Sequence, residues 1–207
     1  MRDGEPFQFG VFFSAAPTFL NAWRQGPRQA RWDRHYLLQP GTSLRIIGGE
    51  RVELTGAETV DGFRIEKTLL NAAFPLDWMS VTLLERHVGA HLHKSDLDGR
   101  SAQTFVNTLA VPGLVQASVL KRTRTAFHGA IIASTTELSV PDWGASCAWV
   151  SFESANPDAL RALLKATGLG NRQHQDLDDW LRQAYRNRRP VAAARPAATA
   201  ERRQRAA

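Results

Sequence analysis

Charge recurs at every second residue in several short, β-branched runs, and this alternation restricts the available folds more than any other feature of the chain. The runs are Arg51-Val52-Glu53-Leu54-Thr55, Arg64-Ile65-Glu66-Lys67-Thr68 and Leu120-Lys121-Arg122-Thr123-Arg124. Thr135-Thr136-Glu137-Leu138 and Trp149-Val150-Ser151-Phe152-Glu153 continue the theme. A strand sends successive side chains to opposite faces, so each run places its like-spaced charges on one face and mainly apolar residues on the other. Two architectures satisfy this. One is an ordinary sheet with a wet face, which the alternation alone favours. The other is a barrel whose inward face is polar and receives something charged.

The 207 residues suffice for one domain with its own core. No run approaches the ~20 apolar residues of a spanning helix, and Met1 to Pro6 lacks the basic start and apolar stretch of a signal peptide, so a cytoplasmic protein is expected. Cys147 is the only cysteine, which excludes an intrachain disulfide and a thiolate metal cluster. The net charge of +6 is local. From Arg186 to Ala207 seven arginines stand against one acid, Glu201, and residues 1–185 are neutral overall. The expected organisation is a domain over 1–185 and a disordered Arg/Ala/Pro tail over 186–207 that binds polyanions weakly at most.

Strands are expected at Phe7–Phe13, Arg34–Leu38, Ser43–Ile47 and Arg51–Thr55, the last two joined by a Gly48-Gly49 turn. Further strands are expected from Gly62 to Leu70, Val115 to Phe127, Ala130 to Val140 and Ser146 to Ser154. Pro17 opens a short helix that Gly26-Pro27 terminates. Trp78–His93 and Ser101–Leu109 suit strand or helix equally. The period then changes. Asn156-Pro157 is an N-cap followed by proline, and Leu160, Leu163 and Leu164 form an apolar stripe ended by Gly168. Leu177, Trp180, Leu181 and Tyr185 mark a second amphipathic helix. Many strands followed by two helices argue for an α+β domain built on an antiparallel barrel or strongly curved sheet.

The order of these runs resembles the CYTH superfamily, the triphosphate tunnel metalloenzymes. His35-Tyr36-Leu37 followed by Ser43-Leu44-Arg45-Ile46 looks like that family's strand pair ending in a basic residue. Gly49 to Leu54, Phe63 to Lys67 and the basic run Leu120 to Arg124 are similar to the strands that follow, and Glu137 sits where an acidic strand is expected. Val150-Ser151-Phe152-Glu153, then Asn156-Pro157 and a helix, is similar to the closing strand and helix. The resemblance implies an eight-stranded antiparallel barrel with flanking helices. Its charged tunnel would hold a phosphate-bearing small molecule or polyphosphate on Arg45, Arg64, Lys67, Arg122 and Arg124. Catalysis would be metal-dependent triphosphate hydrolysis with Mg²⁺ or Mn²⁺ on Glu137 and Glu153, because such ions prefer carboxylate oxygens.

The chain departs from the family at the strand that normally carries the ExExK metal ligands. Here it reads Glu5-Pro6-Phe7-Gln8-Phe9-Gly10-Val11, and Glu53 stands where many members have a base. The alternative is therefore a non-catalytic binding protein that keeps the barrel, its basic tail contacting nucleic acid or a partner. No residue is assigned as catalytic. His87, His91 and His93 are read as surface histidines, Cys147 as a small core residue, and Phe7, Phe9, Phe12, Phe13, Trp23 and Trp32 as barrel wall and cover. The inward charges have a second reading, an ion-pair network of these arginines with Glu53, Glu66, Glu137 and Glu153.

Overall fold

The computed structural model describes residues 5–13, 16–88, 101–109 and 114–188. Eight strands form one sheet: β1 (Phe7–Phe13), β2 (Arg24–Leu37), β3 (Thr42–Ile47), β4 (Arg51–Val60), β5 (Phe63–Ala73), β6 (Val115–His128), β7 (Ile131–Val140) and β8 (Ala145–Ser154). They close into an antiparallel barrel in the order β1-β5-β4-β3-β2-β6-β7-β8, with β8 returning to β1. Among the described residues four helices flank it: α1 (Trp78–Val88), α2 (Ala102–Thr108), α3 (Pro157–Ala166) and α4 (Leu177–Asn187). This is the α+β barrel that the strand order implied, and no described helix is long and apolar enough to cross a membrane.

The alternation is resolved by covering the barrel from outside. Phe9 and Val11 of β1 and Val150 and Phe152 of β8 point outward beneath Leu160 and Leu164 of α3 and beneath Leu20 and Trp23 of the segment before β2. The outer faces of β3 and β4 (Leu44, Ile46, Val52, Leu54) pack under Val81 and Leu84 of α1 and Phe105 of α2. Asn156 caps α3 as its sequence suggested, its Oδ1 accepting from the amides of Asp158 and Ala159 at 2.9 and 3.2 Å. The interior is therefore left to the polar half of each strand. At one end the barrel is stoppered: Leu177 and Leu181 of α4 enter it and meet Ala117, Val119, Leu138 and Val140.

Three local expectations change. Gly26-Pro27 does not end an element; it lies in a β-bulge inside a 14-residue β2, where the register to β6 shifts between Gln25 and Arg28. A bulge is one of the few sheet positions that tolerates proline. The helix after Pro17 is one short 3₁₀ segment, Thr18–Ala22. The ambiguous stretches become α1 and α2, so Val81 and Leu84 follow a helical period. His91 and His93, and the tail beyond Arg188, lie outside the described residues.

β1 and β5 pair only at Phe7–Ile65 and Gln8–Arg64. Beyond that point the chain before α4 fills the seam. The Gly10 amide donates to His174 Nδ1 at 2.9 Å, the Gln175 amide donates to the Gly10 carbonyl at 2.8 Å, and the Phe12 amide donates to Gln175 Oε1 at 2.8 Å. Gly10 permits this approach, since a Cβ there would lie 2.7 Å from Trp149 Nε1 and 2.9 Å from the Gln175 carbonyl oxygen.

Candidate functional site

The inward positions enclose a cavity of about 210 Å³. Each strand contributes through its parity: Gln8 and Gly10 from β1, Arg31 and His35 from β2, Ser43 and Arg45 from β3, Arg64 and Glu66 from β5. Lys121 and Thr123 of β6, Ser134 and Thr136 of β7 and Ser151 and Glu153 of β8 complete the wall. His174, Asp176 and Asp178 close the stoppered end.

Within this wall the charges are matched pairwise. Arg45 Nε lies 2.5 Å from Glu53, and its Nη2 lies 3.7 Å from Glu66. Arg64 bridges Glu66 at 3.1 Å and Asp176, the N-cap of α4. Lys121 Nζ lies 3.0 Å from Asp33, whose other oxygen lies 3.1 Å from Arg31. His35 Nδ1 stands 3.5 Å from Asp178. Four bases (Arg31, Arg45, Arg64, Lys121) and four acids (Glu66, Glu153, Asp176, Asp178) thus line the cavity, with Asp33 and Glu53 pairing with these bases from behind the lining. Glu153 has no ion pair among the described residues, and the partner of Asp178 is a histidine, charged only when protonated. Burial, aided by Glu66, raises the Glu153 carboxyl above the usual value.

Burial also sets the other protonation states. It lowers Lys121 to about 8, with Arg45 adding repulsion and Asp33 opposing the fall. It lowers His35 to about 4, with Lys121 in the same direction, and His174 to about 4, with Arg64 in the same direction. The His174 bond agrees: a ring nitrogen that accepts from the Gly10 amide carries no proton. A histidine that folds neutral must gain a proton on unfolding in acid. Its contribution is therefore present above about pH 6.5 and is lost as pH falls toward 4. His35 alone is expected to remove roughly 3 kcal/mol of stability over that window. Urea unfolding from pH 7 to 4 checks this, and a midpoint that stays flat over that range, or is unaltered by His35→Gln, would refute it.

Of the residues singled out from sequence, Arg45, Arg64 and Glu153 line the tunnel. Lys67, Arg122, Arg124 and Glu137 do not, and here the expectation is corrected. Lys121 and Thr123 face inward, so alternation turns Arg122 and Arg124 outward; Glu66 faces inward and Lys67 outward; Thr136 faces inward and Glu137 outward. The network reading holds for Arg45 and Arg64 with Glu53 and Glu66. Lys121, Asp33, His35, Asp176 and Asp178 escaped sequence reasoning. The signal that marks their face is the set of small polar residues sharing it, Ser43, Thr123, Ser134, Thr136 and Ser151. Burial pushes the Cys147 thiol up to about 12, as suits a packing residue. Of the six aromatics, Trp32 departs from the wall-and-cover reading, being 52% exposed.

The residues present do not fit a resident Mg²⁺ or Mn²⁺. Glu137 and Glu153 lie on opposite faces of the wall, and the inward positions of β1 hold Gln8 and Gly10 instead of carboxylates. Both Glu66 oxygens are engaged by arginines. Among the described residues no three His, Cys, Asp or Glu side chains form a group that could hold a metal.

No protein-family model matches the sequence, and a search of curated proteins finds no match. Among solved structures the chain is similar to a Bacillus halodurans protein named as a candidate adenylate cyclase, at 10% identity and a TM-score of 0.47, over 86% of this chain and 98% of that one. It is also similar to a Hippeastrum protein named as a candidate adenylyl cyclase and described as having a dominant triphosphatase activity. That likeness has 10% identity, a TM-score of 0.46 and 92% coverage of each chain. Both are likenesses of overall chain path, at an identity that transfers no residue's role.

Proposed function

We propose that the tunnel binds a short phosphate-bearing anion, and that the anion enters complexed with a divalent cation. The observation that carries this is the convergence of Arg45, Arg64 and Lys121 from three separate strands on one small cavity. Fixed guanidinium and ammonium groups are the usual partners of phosphate oxygens. The cavity is smaller than the ~300 Å³ at which ordinary small-molecule sites begin. It therefore suits a phosphate chain better than the whole of a bulky ester. The acids in the lining supply the second half of the reading. A bare polyanion would meet Glu66, Glu153 and Asp176 unfavourably, whereas a phosphate that has chelated Mg²⁺ presents the cation to Glu153, the lining carboxylate that no base engages among the described residues. Mg²⁺ is commonly held by one or two carboxylates together with substrate phosphates.

Tripolyphosphate with Mg²⁺ is expected to raise the thermal midpoint. Arg64→Gln should weaken binding at least about tenfold, since a charge-assisted bond contributes about 1.5–3 kcal/mol. Titration calorimetry with and without Mg²⁺ is the check. Equal affinity without the cation would remove the second half of the reading, and no binding in either condition would remove both.

A second reading is phosphoanhydride hydrolysis, the activity that the resemblance implies. The half-buried Glu153, without an ion pair among the described residues and facing the cavity, favours it. Phosphate release from tripolyphosphate or nucleoside triphosphates with Mn²⁺ or Mg²⁺, lost on Glu153→Gln, would support it; no turnover would leave binding alone.

A further inference from the structure

Four arginines that the tunnel does not use, Arg28, Arg34, Arg122 and Arg124, share one outer surface. The described helices cover the outer faces of β1, β8, β3 and β4, and no described helix covers the middle of the β2–β6 face. On that face Arg28 and Arg124 stand directly opposite one another, Arg122 stands opposite Ala30, and Trp32 stands opposite Leu120. Arg34 is the next outward residue of β2. Arg28 and Arg122 are exposed, and none of Arg28, Arg122 and Arg124 forms an ion pair with a described residue. The one acid registered against them is Glu137, across from Arg122 on β7.

Two observations go beyond a solvated basic face. First, like charges directly opposite in an antiparallel pair destabilise the sheet, so Arg28 against Arg124 works against the fold. Second, an indole 52% exposed lies within the same patch and forms one side of a surface pocket of about 420 Å³. Asp33, Arg34, the Gly48-Gly49 turn and Gln103 of α2 are among the other residues that line that pocket. Arginines spaced along neighbouring strands, with an open aromatic face beside a pocket, form the combination that tracks a phosphate backbone while stacking a base. A duplex hides its base faces, and a lipid surface offers no ring to stack.

We propose that the outer face of β2 and β6 is a docking surface for single-stranded nucleic acid, with phosphates on Arg28, Arg122 and Arg124 and a base stacked on Trp32 beside the pocket. The contact is independent of the tunnel and of the basic tail. It is largely sequence-tolerant, because every base has a face to stack.

The test uses the full chain, tail included, and a fluorescein-labelled uridine oligonucleotide of about 20 residues with hydroxyl ends, long enough for one binding site. Anisotropy is read from about 50 to 200 mM salt. The combined Arg28→Gln, Arg122→Gln, Arg124→Gln protein is expected to bind at least about tenfold more weakly, with a salt slope shallower by about 2, at about 0.7 per lost phosphate contact. Trp32→Ala should weaken binding about tenfold and leave the slope unchanged, because stacking releases no counterions. Long-chain polyphosphate, which has no bases, should be indifferent to Trp32→Ala. Binding of magnesium tripolyphosphate in the tunnel, retained by both variants, shows that they are folded. Affinity unchanged in the triple variant would make the tail the anchor and overturn the proposal. Equal affinity for a duplex, or attachment to phosphatidylserine vesicles in place of the oligonucleotide, would overturn it as well.

Discussion

Asp33→Ala is expected to destabilise the protein by about 3–5 kcal/mol, the cost of leaving a buried charge without its partner. Asp33 is fully buried and Lys121 is 8% exposed at a separation of 3.0 Å. Burial by itself would raise the Asp33 carboxyl; the charge and hydrogen bond of Lys121 hold it below its ordinary value instead. Without Asp33, Lys121 keeps its desolvation and its repulsion from Arg45 and loses the group that opposes both. The double variant Asp33→Ala, Lys121→Met should be far closer to the parent, because removing both charges leaves neither stranded. Urea unfolding of the two single variants and the double settles the matter. A single variant no less stable than the double would show that the stranded charge already has another partner, Arg31 for Asp33 or water for Lys121.

Phe152→Ala and Glu153→Gln, at adjacent residues of β8, are expected to act in opposite directions. Phe152 points outward and is fully buried, with ring contacts to Phe19 at 6.4 Å and to Trp23 at 6.3 Å. Truncating it removes a large buried ring and leaves a cavity, at a cost of about 3–5 kcal/mol. Glu153 points inward, and its raised carboxyl means that the folded state disfavours its charge. Glutamine there should leave stability equal or slightly higher at neutral pH, and should abolish the gain that the parent shows as Glu153 protonates in mild acid. Thermal midpoints of both variants at pH 7 provide the check. Similar losses from the two would contradict a barrel whose hydrophobic core lies outside its wall.

Much of the architecture was legible because its signals are local. The Gly48-Gly49 turn, the Asn156 cap and the leucine stripes of α3 and α4 each follow from a few neighbouring residues. Strand faces were harder to assign. Alternation separates two faces of a strand without saying which one the barrel encloses. In Leu120-Lys121-Arg122-Thr123-Arg124 both faces carry charge, and the apparently stronger one, Arg122 with Arg124, is the outer one. Charge alone favoured the wrong side; uncharged Thr123 and Thr136, bonded across the wall at 3.1 Å, mark the inner one. Asp176 caps α4 and Asp178 stands in its first turn, positions that sequence reasoning left unremarked. Their second role, facing Arg64 and His35, depends on α4 stoppering the barrel, a long-range fact with no local signature.

The seam at β1 bears on how the chain assembles. β1 finds most of its ladder on β8, from Phe7–Ser154 to Phe13–Ala148, and its remaining amide partners on His174 and Gln175. Only two of its residues have a partner within the first half of the chain, Ile65 and Arg64 of β5. On the ribosome the earliest strand therefore waits as an unpaired, phenylalanine-rich edge while more than a hundred residues are translated. Such an edge invites pairing with other chains and calls for a holding partner. Circularisation comes last. The stopper helix α4 follows all eight strands in the chain, so the tunnel and its charges are complete only once nearly the whole described chain has been made.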